Sequence, residues 1–486
     1  MNPRKISLII IIILCVVFVI TLVARALIKT TSPVRIVERS ILSIDLDRDY
    51  PEVQKFQFNV FTWKREIPFY RLIFAIESAV DDENIEAILL KGYNKLGLSR
   101  TWELRQALQH FKDAKKPIYG YFDIGGISNL LLASICDTVI TCPQGTFYAP
   151  GLSAQMLFLK NTFAKLGIGF DVVQMGKYKG AGEMFTEDSM SVWLKESYNK
   201  LLDDLFGQIL KDWSENTLIP QDSLKSIIDM AILDAKQAKK LGLVDTIVYW
   251  QEFKENLVGD NQDRLLSITK YVRTIPKWEK ADTTIALVIA DGSITTEVDK
   301  WSQNITSEKY SNIFRELADD DNISAIVFRV NSPGGSAMAS DIIYNEITGA
   351  AEKKPVIVSM SSMAASGGYY ISMPADTIFA TPYTITGSIG VITLIPHFGE
   401  MYEKIGANSQ KLKRGKHADI FSGDHPLTAE EREILTTYIQ EIYHQFVEKA
   451  SLGRDTTYQW IDSVAHNRYV CESVPHYVVS CTCQRP

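Results

Sequence analysis

The chain has 486 residues, 46% of them hydrophobic and 22% charged, with a formal net charge of −7. That length exceeds what one hydrophobic core fills, because cores stop growing near ~250–300 residues, so two or more domains are expected. The acidic balance and the lack of any Lys/Arg stripe argue against nucleic acid as a partner, since phosphate binding needs a basic face.

From the N-terminus, Ile6 to Ala24 carries no charge and is flanked by Arg4, Lys5 and Arg25. A membrane-spanning helix needs about 20 apolar residues, and this run supplies them. The competing reading is a cleaved signal peptide, helped by Ala24-Arg25-Ala26. The apolar region of such peptides is usually about 7–15 residues, and a charge at the cleavage site is out of pattern. Residues 1–30 are therefore expected to be a retained anchor, whose orientation the flanking charges do not fix. The six cysteines are Cys15, Cys136, Cys142, Cys471, Cys481 and Cys483. They form neither a CxxC pair nor a Cys/His zinc spacing, and no disulfide framework, metal or cofactor is expected.

The rest of the chain is written twice. Asp81-Asp82-Glu83-Asn84-Ile85-Glu86-Ala87-Ile88 reads like Asp319-Asp320-Asp321-Asn322-Ile323-Ser324-Ala325-Ile326, an offset of 238 residues. Lys116-Pro117 keeps it against Lys354-Pro355, and an offset of 239 then links Cys136-Asp137-Thr138 to Ala375-Asp376-Thr377 and Gly176-Lys177 to Gly415-Lys416. The copies are placed at residues 31–255 and 283–468, joined by the polar stretch 256–282. Within them Ala325 to Val330 and Pro355 to Ser359 read as buried parallel strands, and Ala339 to Glu352 has helical spacing. Alternation of strand and helix predicts an α/β fold with parallel sheets in both repeats.

Four strings carry chemistry. In the second copy Asn331-Ser332-Pro333-Gly334-Gly335-Ser336 ends a strand on paired glycines, which turn sharply and bare their N–H groups. No Gly-Lys-Ser/Thr follows, so it is not a phosphate loop. Next comes Met363-Ala364-Ala365-Ser366-Gly367-Gly368-Tyr369-Tyr370, followed by Thr386-Gly387-Ser388-Ile389-Gly390-Val391. A serine among small residues has the room a nucleophile needs, and the next N–H can meet an oxyanion. The same string also suits a close helix contact. No histidine lies in these strings, and His397, His417 and His425 are isolated, so a base has to be sought elsewhere. A lysine serves if burial strips its proton near neutral pH, and the first copy offers Gly176-Lys177-Tyr178-Lys179-Gly180-Ala181-Gly182-Glu183-Met184-Phe185. A lysine in such a polar stretch is ordinarily just solvated.

Taken together these strings resemble the long, duplicated form of the signal peptide peptidase A (protease IV) family, within the crotonase and Clp protease fold group. The family's Tyr-Lys-x-Ala-x-Glu-x-Phe string matches Tyr178 to Phe185 and implies Lys179 as general base. Its Ala-Ser-Gly-Gly string implies Ser366 as nucleophile. The resemblance further implies Gly335 and Gly367 as oxyanion donors and Ser388 as a hydrogen-bond partner orienting the lysine. It implies hydrophobic peptides, signal peptides among them, as substrates. It also implies a homotetramer on the outer face of a bacterial cytoplasmic membrane.

The repeat supplies an independent check. At the 239 offset Lys179 meets Ala418, and Ser366 meets Ile127. Each half lacks the group the other holds, as a site assembled from both requires. Lys177 is a rival base, on the same face as Lys179 if the segment is a strand, but it meets Lys416 and so resembles a scaffold position. After Asn467 the chain leaves the family's pattern: a Gly-Leu-Val-Asp segment like Gly242-Leu243-Val244-Asp245 is missing, and residues 469–486 read as an atypical tail from a frameshift or truncation near Arg468. Two other functions share some of these features. A crotonase-type acyl-CoA enzyme has the fold and the oxyanion loop but no use for an anchor or a Ser/Lys pair. An inactive membrane scaffold would have let at least one string decay.

Overall fold

The computed structural model describes residues 34, 36–54, 66–275, 283–297 and 304–465. The 1–30 anchor and the 469–486 tail lie outside them. Among the described residues no helix is long and apolar enough to cross a membrane.

The first half lays down β1 (Ser40–Asp45), β2 (Ile85–Lys91), β3 (Ile118–Tyr121), β4 (Thr138–Thr141), β5 (Gly169–Met175), β6 (Thr246–Ile247) and β7 (Leu265–Ser267). All but β5 form one sheet in the order β7-β1-β2-β3-β4-β6, with every pair parallel. Its middle strands are apolar almost throughout because both faces are covered, as β2 shows with Ile85, Ala87, Ile88, Leu89 and Leu90 all buried. Helix α1 (Phe69–Asp81) buries Phe69, Leu72, Ile76 and Ala79, one stripe of a helical surface, and packs beside α2 (Gly97–Asp113). The longer α3 (Val192–Thr217) starts at Ser191, whose hydroxyl caps the Leu194 N–H. Strand β7 falls inside the 256–282 stretch, so the first sheet takes in part of the segment between the copies.

The second half repeats the scheme with β8 (Thr284–Asp291), β9 (Ile323–Ser332), β10 (Val356–Ala365), β11 (Thr377–Phe379), β12 (Ile385–Gly387) and β13 (Val391–His397). The parallel order is β8-β9-β10-β11, and β12 also pairs with β10. Helices α4 (Ser307–Asp319), α5 (Ala337–Ala351) and α6 (Ala429–Gly453) accompany it, the last opened by a capping box between Thr428 and Glu431. The register shows the duplication directly. Ile41 lies opposite Ala87 as Ile285 lies opposite Ala325, and both pairings follow the same one-residue irregularity. Strands β9 and β10 outrun their sequence-based limits, because pairing resumes after a shift at Val330 and because β12 holds Met363 to Ala365.

Each half has its own apolar core. The halves are joined by an extended ribbon, by polar contacts and by a small apolar cluster of Val173 with Ile395, Leu435 and Ile439. Strand β5 of the first pairs antiparallel with β13 of the second, Met175 opposite Val391 and Gly169 opposite His397. Buried Arg329 on β9 binds Glu52 (3.2 and 3.1 Å) and Glu103 (2.9 and 2.8 Å) of the first half, and Ser361 donates to Glu52. Burial raises the Glu52 carboxyl, but the Arg329 guanidinium outweighs it and holds the group below its usual range. For Glu103 burial wins over Arg329, and its carboxyl is raised.

Candidate active site

Ser366 stands where β10 turns into the short helix Gly367–Tyr370. Its backbone is at φ 54°, ψ −119°, outside the ordinary regions for a side-chain-bearing residue. Holding a serine there costs about 1–3 kcal/mol. The turn is fixed on two sides: the Ser366 N–H donates to Gly387 O (2.8 Å), and the Ser366 carbonyl accepts from Tyr370 N (2.9 Å). The hydroxyl is thereby presented at a sharp, half-buried corner.

The Pro333-Gly334-Gly335 loop closes over that corner. A Cβ on Gly334, at φ +103°, would sit 2.6 Å from the Gly367 nitrogen and 2.8 Å from the Ser366 Cβ, so only glycine allows this approach. Ile294 donates to Gly334 O and accepts from Ser336 N, both at 2.9 Å. This parallel bridge turns the intervening Gly335 N–H to the other side. The Gly367 N–H opens the short helix, where N–H groups have no intrahelical acceptor. Both nitrogens lie beside the corner occupied by Ser366, since a Cβ on Gly367 would lie 3.2 Å from the Gly335 nitrogen.

Lys179 reaches the same corner from the first half, four residues after β5 ends. Its Nζ lies 3.0 Å from Ser366 Oγ, 2.9 Å from Ser388 Oγ and 2.9 Å from Ser388 O. Ser388 also has a positive φ, 52°, which aims its carbonyl and its hydroxyl at one point. Gly390 lets the lysine stem pass, since a Cβ there would crowd Lys179 Cδ at 3.3 Å. The residue is only 8% exposed, and burial alone pushes its ammonium down to about 8.

The five residues singled out from sequence, Ser366, Lys179, Gly335, Gly367 and Ser388, thus meet at one point between the halves. Lys177 does not join them: it is exposed, with its ammonium 5.2 Å from the Trp193 ring centroid. Nor do the histidines, since His417 lies near Glu430 and Glu431, His425 near Asp419, and His397 on β13 packs over Gly169. Sequence inspection did not assign Glu183 a task. Its carboxylate accepts from Ser191 N (2.9 Å) and Ser191 Oγ (2.7 Å), tying the turn after Lys179 to the start of α3. Its place in the matched string was a signal, but the partner eight residues on was not. Among the described residues no cluster of His, Cys, Asp and Glu is arranged to hold a metal ion.

Comparison with known proteins follows the same division. The model of peptidase family S49 matches residues 110–262 and 349–472, and a Clp protease model matches residues 288–385. The chain is 34% identical over 386 residues to the Arabidopsis thaliana protein named serine protease SPPA, chloroplastic, covering 76% of this chain and 57% of that one. It is 31% identical over 424 residues to Protease 4 of Haemophilus influenzae, covering 83% of this chain and 69% of the relative. Against Protease 4 of Salmonella typhi the identity is 32% over 421 residues, 82% and 67% of the two chains. The chain thus spans between about half and two thirds of the length of these relatives. With both halves matched by one family model and relatives named as proteases aligned along most of its length, the chain belongs to peptidase family S49.

Proposed function

We propose that this chain is a membrane-bound serine endopeptidase working through a Ser366–Lys179 dyad, and that it degrades hydrophobic peptides, released signal peptides among them. The 3.0 Å approach of a buried lysine to a serine on a strained turn carries the proposal. With its ammonium pushed down to about 8, a useful fraction of Lys179 is neutral near physiological pH. Neutral Nζ takes the Ser366 proton as Oγ attacks the scissile carbonyl. The tetrahedral oxyanion forms against the Gly335 and Gly367 N–H groups. Protonated Lys179 then gives its proton to the leaving amine, and water activated by the same nitrogen releases the acyl group. Ser388 keeps the nitrogen aimed at Oγ by accepting its other N–H bonds.

Membership of family S49 supports the protease class, and the uncharged run Ile6–Ala24 supports attachment to a membrane. We place the catalytic halves on the outer face of a bacterial cytoplasmic membrane, as a homotetramer, on the family resemblance. The test is cleavage of a quenched hydrophobic peptide by the purified chain and by Ser366→Ala and Lys179→Ala variants. Both substitutions are expected to abolish turnover, and activity surviving either one overturns the proposal.

A further inference from the structure

The two halves repeat one sheet, yet among the described residues one covers a face that the other leaves open. In the first half the side of the sheet away from the main core holds a second apolar layer. Ile41, Leu89, Tyr121 and Ile140 pack there with Val258, and Trp250, Phe253 and Leu265 close over them. The cover is a helix, Trp250–Val258, followed by β7, which adds in parallel to β1 with Leu265 opposite Ile41 and Ser267 opposite Ser43.

Register identifies the counterparts in the second half. Ile285 takes the place of Ile41 and Leu287 that of Ser43, since they face Ala325 and Val327 as the others face Ala87 and Leu89. Phe379 takes the place of Ile140, being opposite Ser359 as Ile140 is opposite Tyr121. Ile41 is 2% exposed and Ile285 is 56%; Ile140 is 1% exposed and Phe379 is 47%. Leu287 is 42% exposed beside them. Strand β8 is the edge of its sheet, and no strand among the described residues pairs with its outer side. Natural sheets cover such a combination of free edge and apolar face. On the same face Arg329, which donates to Ser359, is already met by Glu52 and Glu103 of the first half, so the opening is the part around Ile285 and Leu287 and, on the far edge strand opposite Ser359, Phe379.

We propose that this face docks a polypeptide segment of the kind that closes the first half: an amphipathic helix with aromatic and aliphatic side chains on one stripe, then a short strand adding in parallel to β8. The duplication specifies the occupant, because the same backbone in the first half is closed by such a segment. The docking is independent of the chemistry proposed for Ser366.

The test uses the full chain and, as probe, a fluorescent synthetic peptide spanning residues 248–270 of its own sequence. Fluorescence anisotropy should show saturable binding that Ile285→Asp or Phe379→Asp weakens by about tenfold or more, since each puts a charge where apolar area is buried. Leu412→Asp, at a position 96% exposed elsewhere, should leave binding unchanged. Because Ile285 and Phe379 are surface positions, the variants should fold, which circular dichroism checks. The proposal is overturned if binding is absent, if it survives Ile285→Asp, or if a peptide with Trp250, Phe253 and Leu257 replaced by serine binds equally well. Self-association of the chain that Ile285→Asp removes, without peptide binding, would assign the face to a second copy and also overturn it.

Discussion

The two halves share a backbone and, in the proposed dyad, divide a site. The second provides Ser366 where the first has Ile127, and the first provides Lys179 where the second has Ala418. The two groups need opposite surroundings. A nucleophile must be reachable by a peptide carbonyl and flanked by free N–H groups, and Ser366 is half-buried beside an exposed Gly335. A lysine base must be dry, and Lys179 is enclosed by the β5–β13 ribbon and the Ser388 turn. One loop region cannot easily be both open and dry. On the proposed mechanism, duplication removes the conflict by letting each copy specialise, at the cost of needing the halves held in fixed relation.

The division can be broken from either side. Ser366→Ala is expected to lower kcat by about 10⁴-fold or more, measured on a hydrophobic peptide substrate. Lys179→Met should lower it about as far, because members of one catalytic unit are not additive. Lys179→Met should also stabilise the fold. A buried lysine with its native pKa near 8 binds fewer protons than an unfolded one at 10.5, so wild-type stability rises with pH across that window. The advantage of methionine should be greatest below pH 8 and shrink toward 10.5, read from urea midpoints. Ser388→Ala keeps both groups but frees the amine, and a loss of about 10²-fold in kcat with little change in KM is expected.

Other substitutions sharpen the comparison. Arg329→Met leaves buried Glu52 and half-buried Glu103 without their cation between the halves, which should cost about 3–5 kcal/mol in denaturant unfolding. The smallest effect is expected for Lys177→Ala. That exposed lysine is outside the site, and kcat/KM should stay within about twofold.

Local strings made much of this legible. The repeat was readable because whole segments match, and the alternation of strand and helix because parallel strands are continuously apolar. The five candidate site residues were named from short strings and the family resemblance those strings carry, and the structure brings them together. What could not be read were relations between distant segments. The pairing of β5 with β13 has no local signature, and neither does the Glu52–Arg329–Glu103 network. The positive φ of Ser366 and Ser388 is imposed by their neighbours, since serine does not prefer that region. Leu265–Ser267 sits in a polar stretch and looks like a connection, but the edge of the first sheet recruits it as a strand.

The most direct test of a site shared between the halves is the pH dependence of Ser366 acylation by a fluorophosphonate, followed by mass spectrometry in the wild type and in Lys179→Met. Labelling is expected on Ser366, at a rate that rises with pH through an inflection near 8 and is lost in the variant. Labelling at another residue, or a rate on Ser366 unchanged by Lys179→Met, would contradict it.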